Sequence, residues 1–418
     1  MLEINNWLTR FIIRYPDKTE RAVYLLLFLF PIAGMSIRHW ITNIFNLLVL
    51  ISLFSLNKPQ KPLLKSEKIF LWICASYFSM FIISSLANGW GQVQTYALGT
   101  ELRFLFIIPL YLLIRRYTEC SKWLLTGAIL GGYVLFTQAY YDIFIIERAT
   151  VWGVYSKNII GPFAVLTLFF LTYYVWLNFK TLNKYHYVII GISMIASLGT
   201  AGLSGSRGGY LGFLITSLAC IAFFSKPRWM LASLMTLVLT TYVIYMNIAI
   251  VKNGVDIAAK EVRSYLKATD HVKDKSSTTS VGVRLEMLRT GILFIKDNPL
   301  VGIGPGNYHA STIQYIKTEK ANPAISHYSH PHNTFLEVAS SKGLLGLVTI
   351  LLLFYYPAYI YIKDYKLYKP TTVIGLIHII AISSFSLTDH SVVLMNNYTS
   401  ILLLGIAIFF SSHLQKKH

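Results

Sequence analysis

Apolar residues come in long runs along this chain, at about 22–37, 41–56, 69–86, 98–114, 123–146, 159–177, 187–203, 210–224, 230–251, 344–362, 371–387 and 392–410. Most approach or exceed the roughly 17 residues that a helix needs to cross hydrocarbon. The pattern predicts an all-α polytopic membrane protein with about 12 transmembrane helices. One long polar segment, 252–333, interrupts it. There, Val255, Ala259, Val262 and Leu266 predict a helix over 255–267, and Leu285, Leu288, Ile292 and Ile295 form one side of a second over 283–296, ended by Asn298-Pro299. A third is expected from about 308 to 320, ended by Asn322-Pro323, whereas 270–280 (DHVKDKSSTTS) reads as polar and mobile. The expected organisation is nine spans over 1–251, a mostly helical loop domain over 252–335, and three spans over 336–418.

Charge fixes the orientation. If the N-terminus is cytoplasmic, the inside segments hold 20 of the 37 Lys and Arg, and the opposite short segments hold only Arg38, Arg103, Arg148, Lys157 and Arg207. Cytoplasmic loops concentrate basic residues, so both termini are expected inside, with the long polar segment in the periplasm. The net charge of +19 then marks topology, and no nucleic-acid partner is implied. Hydrophobic residues make up 55% of the 418 and charged residues 13%, against about 25% charged in soluble domains. A basic lead before residue 22 resembles a signal peptide, but with no cleavage site following it a retained first span is expected. Cys74, Cys120 and Cys220 all lie outside the long polar segment, so function is not expected to rest on cysteine chemistry.

Candidate chemistry gathers on the outer side. Tyr328–Gly346 (YSHPHNTFLEVASSKGLLG) runs from a polar, histidine-bearing stretch into a span. Pro331 suits only a first helical turn, and Thr334 and Glu337 have capping-box spacing. His332 is therefore expected at or just before a helix N-terminus, where the dipole favours a neutral imidazole suited to a general base. Arg207, in Ser204-Gly205-Ser206-Arg207-Gly208-Gly209, is either an anion-binding residue whose glycines admit a phosphate or a snorkelling arginine in a tight turn. Arg284 and Arg289 could fork onto phosphate oxygens or simply face solvent, and five positions apart they point in different directions. His309, His327, His330 and His332 lack the i, i+4 spacing of a helical metal pair, so no metal and no other cofactor is expected. The lone Gly302-x-Gly304 is weak evidence for phosphate binding.

Together these stretches resemble the O-antigen ligase and polymerase superfamily, integral membrane glycosyltransferases. The resemblance rests on His332-Asn333-Thr334-Phe335-Leu336-Glu337 ahead of Gly343, on the Ser206-Arg207-Gly208 turn, on Pro299–Asn307 (PLVGIGPGN), and on Gly153–Pro162 (GVYSKNIIGP) with Asn158 in place. Lys157 stands where that family often has proline. The resemblance implies transfer of glycan from undecaprenyl diphosphate to lipid A-core in the bacterial inner membrane, with membrane lipids as surroundings. It implies that Arg207 and Arg284 hold the donor diphosphate and that His332 acts on the acceptor hydroxyl, with Arg289, His330, Asn333, Glu337 and Asn158 in support. A ligase is expected first, then a polymerase or a protein O-oligosaccharyltransferase. A lipid-linked glycan transporter is the alternative of another class, and it would be expected to show broken, repeated spans with charges near the midplane.

Overall fold

The computed structural model describes residues 11–247, 249–389 and 391–417. These residues are helical, with no strand among them. In order the helices are α1 (Lys18–Leu29), α2 (Trp40–Phe54), α3 (Lys65–Ala87), α4 (Gln92–Ile114), α5 (Cys120–Tyr140), α6 (Lys157–Asn178), α7 (Lys184–Leu203) and α8 (Arg207–Phe224). Then come α9 (Pro227–Asn247), α10 (Ala249–Lys267), α11 (Ser280–Asp297), α12 (Tyr308–Lys317), α13 (Thr334–Lys363), α14 (Lys369–Ser386), the short α15 (Ser391–Leu394) and α16 (Asn396–Leu414).

Nine of the described helices are long and apolar enough to cross a membrane: α3, α4, α5 with its extension to Ile145, α6, α7, α9, α13, α14 and α16. Three more lie on expected runs but are shorter, namely α1, α2 and α8. The first of these shows why. The run over 22–37 was continuous in hydropathy, yet α1 stops at Leu29 because Pro31 has no N–H to extend the ladder. At the centre of the bundle α16 is buried from Asn397 through Leu414, and α14 packs along it. At the periphery α9 is apolar with no buried residue, as befits a helix surrounded by lipid.

α13 is not one helix. Gly343 has φ 71° and ψ −174°, and the helix breaks there. The break frees the carbonyls of Ser340 and Ser341, which accept from Ile303 N at 2.9 Å and Gly304 N at 3.0 Å, while Leu344 N donates to Pro299 O at 2.8 Å. A Cβ on Gly343 would lie 2.1 Å from Leu300 O, and one on Gly302 would lie 2.5 Å from Ser340 O. The Pro299–Asn307 motif is thus the hydrogen-bonding complement of a broken helix, which is how irregular backbone is tolerated at membrane depth. Its Gly302-x-Gly304 element pairs its amides with the protein's own carbonyls and does not present them to a phosphate. Beside the break, buried Lys342 donates to Glu101 Oε1 at 2.5 Å and to the Tyr77 hydroxyl at 2.7 Å.

The long polar segment departs from its sequence reading in three ways. α10 starts at Ala249, before the first apolar position of the expected helix, and α12 ends at Lys317. α11 buries Val283, Glu286, Met287, Thr290, Gly291 and Phe294, while Leu288 and Ile292 are exposed. The small and polar residues of α11 pack against the protein, and Leu288 and Ile292 of its apolar side are left outside. Residues 270–280 are packed, not loose: the Tyr265 and His271 rings stack at 4.3 Å, Asn322 Nδ2 donates to His271 O at 2.9 Å, and Ser277 is fully buried.

Candidate functional site

Four chain reversals converge at one end of the bundle. α8 begins at Arg207, capped by Ser206, whose Oγ accepts from Gly209 N at 3.2 Å. Gly205 adopts φ 64°. The other glycines serve the protein's own packing: a Cβ on Gly208 would come 2.3 Å from Thr388 Oγ1, and Gly209 lies against Gly161 and Pro162. They do not leave open backbone for a ligand, so the phosphate-approach reading of this turn falls on Arg207 alone. Asn158 sits in the first turn of α6, which starts after Ser156.

α11 is capped by Thr279, and Arg284 follows one turn later. Glu261 of α10 accepts from Val281 N at 2.9 Å and lies 4.0 Å from Arg207 Nη1, bringing the start of α11 beside the start of α8. Arg284 is half-buried and makes no hydrogen bond or ion pair among the described residues. Burial pushes its guanidinium below the ordinary arginine value, Asp389 pulls it back up, and Arg207 lowers it further. Two cations and one carboxylate therefore share one electrostatic neighbourhood.

α13 supplies the histidine. Its N-cap is Asn333, whose Oδ1 accepts from Leu336 N at 2.9 Å, so the cap lies one residue before the Thr334–Glu337 box read from the sequence, and Pro331 precedes the helix. His332 stands just outside the cap at φ 51°, a left-handed conformation rare for a side-chain-bearing residue. Asn333 Nδ2 donates to Leu387 O and Thr334 Oγ1 to Asp389 O, each at 3.0 Å. These two bonds pin the turn after α14 and set the Asp389 carboxylate 3.9 Å from His332 Nδ1. The His330 and Tyr328 rings meet that of His332 edge-on, with centroids at 4.5 and 5.9 Å. A small cleft lined by Asn158, Ser206, Arg284, Thr388, Asp389 and Tyr398 lies beside this group.

Not every residue singled out from the sequence joins it. Arg289 forks onto Glu286 at 2.8 and 2.6 Å and donates to Lys320 O, away from the cleft. Glu337 is buried on α13, in the electrostatic neighbourhood of Lys342 and Glu101. His309 Nε2 lies 3.0 Å from Ser326 O, and no group of three His, Cys, Asp or Glu among the described residues is arranged to hold a metal ion. Sequence reading missed Asp389 and Glu261. For Asp389 the signal was an acid at the outer end of an apolar run in a chain with only 18 Asp and Glu.

The comparisons bear on the same region. Residues 192–351 match the family model described as O-antigen ligase. The chain is 23% identical over 339 residues to a Haemophilus influenzae protein described as uncharacterized, covering 78% of this chain and 81% of that one. It is 27% identical over 203 residues to the O-antigen ligase of Escherichia coli K12, covering 47% of this chain and 46% of the ligase. The match spans the segment that carries Arg207, Arg284 and His332, and over that segment this multi-pass membrane chain is similar to the O-antigen ligase family.

Proposed function

We propose that this protein is an O-antigen ligase of the bacterial inner membrane, with both termini cytoplasmic and the cleft facing the periplasm. It transfers a glycan from undecaprenyl diphosphate to a sugar hydroxyl of lipid A-core. The observation that carries this reading is the convergence of Arg207, Arg284, Asp389 and His332 from four separate reversals, with Arg284 holding unused donors.

The chemistry follows from the charges. The acceptor oxygen attacks the anomeric carbon as the bond from that carbon to the diphosphate oxygen breaks, and the configuration inverts. Negative charge grows on the departing diphosphate, so guanidinium groups at its oxygens stabilise the transition state more than the ground state. His332 takes the hydroxyl proton. Asp389, 3.9 Å from Nδ1, orients the ring and stabilises the imidazolium that forms. Asn158, on the cleft wall, is placed to hold a sugar hydroxyl or a diphosphate oxygen.

The test is the glycolipid profile of cells lacking the protein. Long polymer retained on the carrier lipid beside bare lipid A-core is the expected result, restored by wild type and not by His332→Ala. Single repeats in place of long chains would overturn the ligase assignment in favour of a polymerase using the same residues on another acceptor.

A further inference from the structure

α4 carries two buried charges with opposite fates. Glu101 is paired with Lys342 across the helix break. Arg103, two positions on and so on a different face of the helix, is 6% exposed and has no carboxylate within ion-pair distance among the described residues. Its Nη1 donates to Gly99 O at 2.5 Å and to Asn396 Oδ1 at 2.9 Å, and its Nε has no partner. A guanidinium at membrane depth held only by a carbonyl and an amide is costly, and such a residue is a candidate site in its own right.

Its surroundings suit an anion. Asn396 opens α16, whose N-cap Met395 supplies no side-chain cap, so first-turn N–H groups and the positive end of the dipole lie beside the guanidinium. Thr100 Oγ1 converges on the same Asn396 Oδ1 at 2.7 Å. Asn396 is exposed, and beside exposed Gly99 there is open space where a Cβ would meet nothing within 4 Å. The nearby carboxylates are already engaged, Glu101 with Lys342 and Asp389 with the His332 and Arg284 group.

We infer that Arg103, Thr100 and the start of α16 form a second anion site, distinct from the Arg207 and Arg284 cleft, that takes a phosphate group of a membrane lipid. Tyr398, on the same first turns of α16, lines the cleft, so a phosphate held here sits across α16 from the proposed reaction centre. Its source is a phosphate on the acceptor or a phospholipid headgroup.

The experiment measures retention of dioleoyl phosphatidic acid by the purified full-length protein in neutral detergent, with dioleoylglycerol as the phosphate-free control. Arg103→Gln should weaken phosphatidic acid binding about tenfold or more, as loss of a charge-assisted contact does, without affecting dioleoylglycerol. Lys122→Gln, at the other end of the bundle, should change nothing. Unchanged phosphatidic acid affinity in folded Arg103→Gln would overturn the site. Should that variant fail to fold, Thr100→Val supplies the same decision with the buried charge intact: several-fold weaker binding supports the site and unchanged binding rejects it. Transfer kinetics then identify the source. A raised KM for the acceptor points to an acceptor phosphate, and an unchanged KM for the acceptor to a phospholipid headgroup. That last arm rests on the ligase reading, and the binding measurement does not, so either can fail without the other.

Discussion

At the end of the bundle that holds Glu67, Glu119 and Asp364, charges are closed into short contacts. Glu67 accepts from Arg115 Nε at 2.8 Å and Nη2 at 3.0 Å and from the Tyr111 hydroxyl at 2.9 Å, and the remaining Arg115 donors go to Lys61 O and Pro62 O. Asp364 is held by His413 and Lys417. Within the candidate site at the opposite end the ion pairs are longer, His332 to Asp389 at 3.9 Å and Arg207 to Glu261 at 4.0 Å, and Arg284 makes no hydrogen bond or ion pair among the described residues. A charge that serves structure is saturated within the protein. One that serves a ligand keeps donor capacity in reserve, and the contrast between the ends separates the two roles without reference to any relative.

The sharpest way to break that contrast is to remove one charge from each end. His332→Ala should lower transfer by ~10² to 10⁴-fold, the usual contribution of a general base, with no measurable change in thermal melting. Arg284→Ala should likewise keep the fold while losing affinity for the lipid-linked donor. Arg115→Ala should do the reverse, because it leaves Glu67 buried and uncompensated at a cost of about 3–5 kcal/mol. Melting of the detergent-solubilised variants, set against transfer by whatever folded fraction remains, checks both. A His332→Ala variant that melts early, or an Arg115→Ala variant that is stable and inactive, would dissolve the distinction.

Between the two ends lies the broken helix, and there Gly343→Ala should cost about 1–3 kcal/mol. A Cβ at that position meets Leu300 O at 2.1 Å, and the positive φ is strained for any other residue. Because the break positions the N-terminal half of α13, transfer should fall alongside stability in this variant, unlike either end.

Much of the fold was legible because hydropathy is a local signal. Each apolar run carries a helix over at least part of its length, and Asn298-Pro299 stops α11 where turn chemistry places it, whereas α12 ends at Lys317, ahead of Asn322-Pro323. What the pattern could not carry was interruption and partnership. The run from Leu344 onward follows Ser340-Ser341-Lys342-Gly343, which hydropathy separates from it without saying that the backbone breaks there; the conformation of Gly343 reveals the break. Asp389 meets His332 across 57 positions of chain, and nothing local to either residue encodes that meeting. For α11 too, periodicity finds an apolar side but does not say whether the protein will cover it, and Leu288 and Ile292 are exposed.

The smallest effect expected is also the most specific to the site. Asn333 does two things, accepting from Leu336 N as the cap of α13 and donating from Nδ2 to Leu387 O. Asn333→Ser keeps an acceptor for the cap, which serine fills about as well, but its side chain is too short to reach the turn after α14. One hydrogen bond is lost, worth about 0.5–1.5 kcal/mol, so the melting temperature should scarcely move. The turn it loosens from α13 is the one that aims Asp389 at His332, and the Thr334 bond still ties it to that helix. Transfer should therefore fall several-fold through kcat with the KM for donor little changed. If kcat is intact in Asn333→Ser, the Asp389 carboxylate is positioned by α14 alone, and its pairing with His332 is a consequence of the fold and not a device of the site.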